Sequence, residues 1–276
     1  MARGRSAADG MATMISETFW RGKSVMVTGG SSGIGLEIAR AAAAAGAHVG
    51  IIASREGPLA EAASLLAGTG THVATATADV VDANALEAAV RRLETATGPC
   101  AVAIACAGIH RTSWPLDATT AGRVIDVNVK GCINLAAAVL PGMLARRSGH
   151  FCGVASIAAI VGLPGNAAYC ASKAALVTLL ESLRLDCGPA GIRVTTASPG
   201  FVDTPMVTDE ERAAGGLMPA DRAAALILAA VERGRAEAWF PRRTWLAARL
   251  ARALPPALRD RVLRGQQPMA ESPRDG

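Results

Sequence analysis

Aromatic residues are scarce in this chain of 276 residues. They make up 3% of it, and Tyr169 is the single tyrosine, whereas hydrophobic residues as a whole reach 51%. That hydrophobic content excludes a disordered chain, and the length suits one large α/β domain with a buried sheet. Because alanine and glycine are abundant, we expect helices to pack closely on the sheet through small side chains.

Cysteine pairs of the metal-binding type are missing. None of the six cysteines stands in a C-x-x-C pair, and no histidine cluster accompanies them, so we expect no metal site. Most of them fall in apolar segments, which indicates buried free thiols in a reducing cytoplasm. The six are Cys100, Cys106, Cys132, Cys152, Cys170 and Cys187.

A strong charge of one sign is absent from the body of the chain. The net charge is +5, and the stretch Pro241–Gly276 alone holds eight arginines against three acids. The remainder is therefore near neutral, which argues against a nucleic-acid-binding face there. The basic C-terminal stretch leaves contact with an anionic surface open.

Long apolar runs are lacking as well. No run approaches the roughly 18 consecutive apolar residues of a membrane-spanning helix. Residues 1–19 contain Arg3 and Arg5 but lack the apolar segment of a signal peptide. We expect this stretch to be a disordered leader.

The chain does show a regular alternation of short apolar runs with longer Ala/Leu-rich stretches. This alternation predicts the α/β class, as a three-layer Rossmann fold with a doubly wound, seven-stranded parallel sheet in a single domain of residues 20–240. The predicted strands are Ser24–Thr28, His48–Ala53, His72–Thr77, Ala101–Ala105, His150–Ala155, Arg193–Ala197 and Ala236–Phe240. The predicted helices include Gly33–Ala45, Asn84–Thr97, Ala118–Arg146 and Asn166–Cys187.

The pattern changes in residues 241–276. Apolar residues recur every fourth position with arginines between them, and Pro255 and Pro256 break the stretch into two short helices. We interpret it as a basic amphipathic helical tail that packs on the body, covers an oligomer face or lies on an anionic membrane. The apolar positions are Leu246, Leu250, Leu254, Leu258 and Val262.

A glycine-rich turn follows the first predicted strand and opens a helix. Glycines let the backbone approach a pyrophosphate, and a helix N-terminus presents free N–H groups to that anion. The context favours a dinucleotide site, although a purely structural turn is the alternative. The candidate contacts are Thr28, Gly29, Ser31, Ser32, Gly33, Ile34 and Gly35.

A tyrosine and a lysine stand four residues apart on a predicted helix. The spacing places Tyr169 and Lys173 on one face, where an ammonium lowers the pKa of a phenol from near 10 and makes it a usable acid/base. Ser156 ends a strand thirteen residues before Tyr169, at the edge where ligands bind. Taken alone, each has a structural alternative, a chance helical pair for the first two and a helix cap for Ser156.

Together, T-G-x-x-x-G-x-G, Ser156 and Y-x-x-x-K resemble the short-chain dehydrogenase/reductase family over roughly Gly22 to Phe240. The resemblance implies hydride transfer with a nicotinamide cofactor and Tyr169 as general acid/base. It further implies that Ser156 orients the substrate oxygen and that Lys173 lowers the Tyr169 pKa and holds the nicotinamide ribose. It also implies that Asn128 completes a proton relay, with a solvated helix asparagine as the alternative. A homodimer or homotetramer is expected from the same resemblance.

The resemblance implies further cofactor contacts, although Asp79 has a helix cap as its alternative. One motif departs from the family, because N-N-A-G after the fourth strand reads Ala105-Cys106-Ala107-Gly108 and loses hydrogen bonds that the asparagines supply. The implied contacts are Asp79, Val80, Ala107, Gly108, Pro199, Gly200, Val202 and Thr204, with Tyr169 and Lys173.

The end of the second predicted strand bears on the choice of cofactor. An NAD enzyme usually has an acid there for the ribose 2′-hydroxyl, whereas this chain has Ser54 and Arg55. We therefore expect NADP(H), with NAD(H) as the alternative. Arg55 stands one position later than the arginine of the family, and Ser54 takes that place.

Apolar residues surround the expected substrate site. They predict a pocket for a hydrophobic ketone or secondary alcohol, with packing under a lid of residues 201–219 as the alternative. We expect a cytoplasmic carbonyl reductase; the alternatives are a membrane-surface 3-keto-lipid reductase and an NADP-sensing protein without turnover. The residues are Ile109, His110, Trp114, Ile157, Ile160, Val161, Leu163, Met206, Val207, Leu217 and Met218.

Overall fold

A seven-stranded parallel sheet forms the centre of the protein in a computed structural model, which describes residues 15–264. Its strand order is β3-β2-β1-β4-β5-β6-β9, so the chain winds outward in both directions from β1 and β4. This confirms the predicted doubly wound sheet. The strands are β1 Ser24–Thr28, β2 His48–Ala53, β3 Val73–Thr77, β4 Cys100–Ala105, β5 Gly149–Val154, β6 Ile192–Pro199 and β9 Glu237–Phe240, and β7 Val202–Asp203 and β8 Met218–Pro219 form a separate small pair.

Helices cover both faces of the sheet. One apolar cluster includes Ile38, Leu59 and Ile227, and the cluster on the opposite face includes Leu86 and Leu180. The strands between them are buried on both sides, which explains their nearly continuous apolar sequences. The helices are α1 Glu17–Trp20, α2 Gly33–Ala44, α3 Glu56–Leu66, α4 Ala83–Thr97, α5 Ala118–Ile125, α6 Gly131–Arg146, α7 Ala167–Cys187, α8 Asp209–Ala214, α9 Ala220–Glu232, α10 Arg242–Ala253 and α11 Pro256–Arg264.

The long predicted helix 118–146 is interrupted. A π-helical turn, Asp126–Lys130, joins α5 to α6. Such turns are rare and often mark functional sites, and this one carries Asn128. The whole stretch Ala118–Arg146 is long and apolar enough to cross a membrane by composition, but half of its most apolar window is buried. It is a core helix lying against β4 and β5.

The predicted leader overlaps structured residues. Trp20 at the end of α1 is fully buried, and Phe19 packs on it with ring centres 4.9 Å apart. The predicted boundary after residue 19 was therefore too late, because this short helix closes the apolar cluster near β1. Residues 1–14 lie outside the described part of the chain.

The C-terminal tail forms two helices, as its prolines indicate. α10 ends at Ala253, and Pro256 opens α11, where its fixed φ suits the first helical turn. α10 contacts β9 and the turn at residues 157–159, and Leu263 of α11 is buried. Residues 265–276 lie outside the described range.

All six cysteines are free. Five are buried and Cys106 is half-buried. Burial raises the pKa of Cys106 to about 11 and that of Cys132 to about 12, against the pull of Lys173. These thiols are therefore protonated and weakly reactive at neutral pH.

Candidate active site

Ser156 lies just past the carboxyl end of β5. The backbone N–H of Ala155 donates to the carbonyl of Ala197 over 2.7 Å, which fixes this end of the strand on β6. The Ser156 hydroxyl accepts from the N–H of Ala158 over 3.1 Å and caps the short turn 157–159. The capping alternative is thus realised, yet a hydroxyl that accepts in this way keeps its own hydrogen for donation.

Lys173 is buried beside Tyr169 on α7. Its Nζ donates to the carbonyl oxygen of Val154 over 3.0 Å and lies 5.7 Å from the Tyr169 ring centre. Burial lowers the pKa of Lys173 to about 8, against the opposing influence of Cys106 and Cys132. The lysine therefore links α7 to the end of β5 and places a cation near the tyrosine ring, where positive charge favours a phenolate.

Asn128 projects from the π-helical turn into the protein and is 1% exposed. Its amide accepts from the Ile109 N–H over 2.8 Å, and donates to the Ile109 carbonyl over 3.0 Å and to the Ser172 hydroxyl over 2.9 Å. Ser172 in turn donates to the Tyr169 carbonyl over 2.7 Å. Asn128 therefore ties the loop after β4 to the turn of α7 that carries the tyrosine.

Gly108 lies between the predicted relay residues. A Cβ atom there would stand 3.2 Å from Oδ1 of Asn128 and 3.6 Å from Nζ of Lys173. The structure thus brings Asn128, Lys173 and Tyr169 together next to the end of β5, where Ser156 follows.

A histidine contact was missed by the sequence reasoning, which placed His110 only in a pocket wall. Its ring lies edge-on to Tyr169, with centroids 4.7 Å apart and planes at 62°. Its Nε2 hydrogen-bonds Oδ1 of Asn166, the residue before α7. No motif marks this histidine; its position two residues after Gly108 was the only available signal.

The glycine turn requires its glycines. Gly29 has φ +69°, and a Cβ atom there would stand 2.8 Å from the Cα of Ala107. A Cβ atom on Gly35 would overlap the carbonyl oxygen of Gly29. Ser32, just before α2, makes no side-chain capping hydrogen bond to the first turn of that helix. An open turn of this kind at a helix N-terminus fits a dinucleotide pyrophosphate, with Ser31, Gly33 and Ile34 completing the turn.

Thr28 compensates in part for the altered motif after β4. Its hydroxyl oxygen accepts from the backbone N–H groups of Cys106 and Ala107 over 3.2 and 3.3 Å. The connection between β1 and β4 therefore uses backbone donors and does not depend on an asparagine.

The residues expected to contact the adenosine half of the cofactor follow the carboxyl ends of β2 and β3. Ser54 and Arg55 are exposed after β2. Asp79 accepts from the Val81 N–H over 3.0 Å and pairs with Arg123 over 2.9 Å. Burial raises the pKa of Asp79, but these two contacts outweigh it and hold the pKa below its ordinary value. Val80 is buried, and a Cβ atom on Gly131 would stand 2.5 Å from its side chain.

The segment after β6 reaches back to the glycine turn. Pro199 ends β6, and the Gly200 N–H donates to the Phe240 carbonyl over 2.8 Å. Val202 is buried in β7, and Thr204 lies 3.2 Å from the place of a Cβ atom on Gly33. The base of the predicted lid therefore lies over the expected pyrophosphate site.

The predicted pocket residues divide by exposure. Ile157 and Val161 are buried. Trp114 was predicted as a pocket wall, and its side chain is 85% exposed. Met206 is 42% exposed and Phe201, also in the lid, is 57% exposed. The half-buried members are Ile109, His110, Ile160, Leu163, Val207, Leu217 and Met218.

Known oxidoreductases are similar to this chain in sequence. The family described as short chain dehydrogenase matches residues 23–215. An uncharacterized oxidoreductase of Myxococcus xanthus is 35% identical over 244 residues, which cover 88% of this chain and 96% of that protein. The 2-(S)-hydroxypropyl-CoM dehydrogenase 3 of Xanthobacter autotrophicus is 39% identical over 181 residues, covering 64% of this chain and 71% of that one.

A solved structure shows the same fold. Levodione reductase superposes with a TM-score of 0.76 at 23% sequence identity, covering 82% of this chain and 99% of that chain. At this identity the likeness concerns the fold alone. The family match and the sequence relatives carry the assignment: the chain belongs to the short-chain dehydrogenase/reductase family and is an oxidoreductase acting on CH–OH and C=O groups.

Proposed function

We propose that the protein is an NADP(H)-dependent reductase that interconverts hydrophobic ketones and secondary alcohols. The observation that carries this proposal is the grouping of Tyr169, Lys173 and Asn128 beside Ser156 at the carboxyl end of β5. The glycine turn lies at the neighbouring end of β1, so a cofactor held there extends toward the tyrosine.

Bound NADPH would supply a hydride to the carbonyl carbon. Tyr169 delivers the proton to the oxygen, and the Ser156 hydroxyl donates a hydrogen bond to the same oxygen. Lys173 lies near the phenol ring and stabilises the phenolate left after proton transfer. Its own pKa of about 8 allows it to replace that proton near neutral pH.

The preference for NADPH rests on the end of β2. Ser54 and Arg55 are both exposed there, and neither is an acid that would repel a 2′-phosphate. A guanidinium binds a phosphate group well. A substrate screen that follows NADPH and NADH oxidation separately tests the function and the preference together. Turnover of apolar ketones with NADPH supports both, and equal rates with NADH would contradict the preference.

We also propose that the enzyme forms a homodimer or homotetramer. Ile133 and Leu144 on α6 and Leu185 on α7 are 45%, 42% and 71% exposed, and burying them against a second copy would remove this apolar surface from water. Light scattering coupled to gel filtration measures the oligomer, and a monomer at micromolar concentration would contradict it. Six free thiols are consistent with a cytoplasmic location.

A further inference from the structure

We propose that α10 and α11, here called the tail helices, dock the enzyme on an anionic membrane surface with the mouth of the active site toward the lipid. The part of this inference that concerns the substrate, a ketone dissolved in the bilayer, rests on the proposed function. The docking itself rests on the surface of the tail helices alone.

The tail helices leave an apolar stripe exposed. Leu246 and Leu250 on α10 are 52% and 62% exposed, and Leu258 and Val262 on α11 are both 49% exposed. Each pair stands four residues apart and therefore shares a helix face. On α10 the half-buried residues Thr244, Ala248 and Ala251 lie on a different face, and this helix contacts β9 and the turn at residues 157–159. α11 contacts α10, and its Leu263 is buried. The stripe is therefore the outer face of a segment anchored on the protein.

Arginines border this stripe on both sides. At about 100° per residue, Arg242 and Arg249 lie on one side of Leu246 and Leu250, and Arg243 lies on the other. All three arginines are exposed. Residues 242–264 contain seven arginines and one acid, Asp260, whose nearest cation is Arg259 at 3.8 Å. An apolar stripe between cations is the pattern of a helix lying in a membrane interface.

Charge decides between a membrane and a second copy of the chain. In a two-fold contact each copy uses the same surface, so a dimer through this stripe would bring two arginine-rich faces together. Anionic headgroups would instead neutralise the arginines while the leucines enter the acyl boundary. The composition of the tail helices therefore favours the lipid surface.

The N-terminal end of the tail helices adjoins the active site. Pro241 follows β9, and its Cδ lies 3.1 Å from the place of a Cβ atom on Gly200, the residue before the lid; the Ile157 side chain lies 3.4 Å from the same place. Ile157 directly follows Ser156. The exposed side chains of Trp114 and Phe201 belong to loops at this same edge of the sheet. A docked tail thus brings the substrate entrance close to the lipid.

Vesicle co-sedimentation of the full chain tests the docking. We expect binding to phosphatidylcholine vesicles with about 30% phosphatidylglycerol and little binding to pure phosphatidylcholine. About 0.5 M NaCl should release a large part of the bound protein, because salt screens the arginines. Equal binding to both vesicle types, or none to either, would overturn the proposal.

Variants test whether vesicle binding depends on the tail helices or on nonspecific adsorption of the protein. The double change Leu246→Gln and Leu250→Gln should lower the vesicle-bound fraction by about fivefold or more. Leu65→Gln, a 67% exposed leucine on α3, is the matched control and should bind as the unchanged protein does. Unchanged binding of the double variant would contradict the proposal, and so would a tail-dependent dimer that does not bind vesicles.

Activity measurements keep the two proposals distinguishable. The double variant should still reduce a small water-soluble ketone with NADPH at the normal rate, while losing activity on a long-chain ketone held in anionic vesicles. Vesicle binding without reductase activity would reject the proposed function and leave docking intact. Reductase activity without vesicle binding would reject the docking and leave the proposed function intact.

Discussion

The amide nitrogen of Asn128 donates to the hydroxyl of Ser172 over 2.9 Å, and through this contact the π-helical turn is tied to the backbone of Tyr169. The same side chain satisfies both backbone groups of Ile109. One buried amide thus positions the loop after β4 and the tyrosine relative to each other.

Replacing Asn128 should therefore affect both stability and turnover. Asn128→Ala leaves the N–H and carbonyl of the half-buried Ile109 without this partner, which should cost about 1–2 kcal/mol of unfolding free energy. Urea unfolding measures that loss, and steady-state kinetics should show a lower kcat.

The control removes a hydrogen bond of similar burial far from the site. Thr97→Val breaks the 2.8 Å contact with Ser24 at the amino end of β1. It should lower stability while leaving kcat unchanged. If both variants lost kcat equally, Asn128 would have no specific role in positioning the tyrosine.

Gly35 should not tolerate a side chain. A Cβ atom there overlaps the carbonyl oxygen of Gly29, so Gly35→Ala must displace the glycine turn. We expect cofactor affinity, measured by NADPH fluorescence titration, to fall at least about tenfold, since the helix N-terminus no longer meets the pyrophosphate.

Gly122→Ala is the comparison for that change. Gly122 is a helical glycine in α5 with open space around its Cβ position, and alanine should stabilise it by about 0.5–1 kcal/mol. Its NADPH affinity should not change. Normal affinity in Gly35→Ala would show that the turn does not hold the cofactor.

Arg55 should discriminate between the two nicotinamide cofactors. Arg55→Ala removes a cation that only a 2′-phosphate needs, so kcat/KM with NADPH should fall about tenfold or more while that with NADH stays constant. Arg92→Ala, an exposed arginine on α4, provides the control. Equal losses with both cofactors would argue against a phosphate contact at Arg55.

His150 should make the protein sensitive to acid. Its Nε2 hydrogen-bonds the Thr195 hydroxyl, which itself donates to the carbonyl of Arg235, so Nε2 carries the proton and Nδ1 is buried without a partner. Burial, with Arg193 and Lys23 nearby, lowers the pKa of His150 to about 3. The contribution of this neutral histidine to stability is complete above pH 6.5 and is lost as the pH falls toward 3.

A non-titrating variant measures this contribution. Between pH 6 and pH 4 the unfolding free energy of the unchanged protein should fall more steeply than that of His150→Gln, by about 1.4 kcal/mol per pH unit. Parallel stability curves for the two proteins would show that His150 does not titrate on unfolding.

The sheet could be predicted because its strands are buried on both faces. Ser24–Thr28 and His48–Ala53 have the bounds read from their apolar runs, and the carboxyl-edge rule then places Ser156 and the glycine turn on one side. The predicted and observed strands of this sheet differ only at their ends; β3, for example, was predicted to begin at His72 and begins at Val73.

The missed features depend on contacts distant in sequence. The π-helical turn Asp126–Lys130 accompanies the bonds of Asn128 to Ile109, and the His110 contact with Tyr169 joins two loops. Helix α1 forms because Trp20 is buried against the core. Sequence periodicity and motif spacing describe one segment of the chain at a time. They therefore cannot predict contacts between segments that are far apart in the sequence.

Tyr169→Phe tests the central claim most directly, because it removes one hydroxyl and keeps the ring. Turnover of a ketone with NADPH should fall by about 10³-fold or more, while the Kd for NADPH from fluorescence titration changes by less than about threefold. Turnover within about tenfold of the unchanged enzyme, with cofactor binding intact, would contradict Tyr169 as the proton donor.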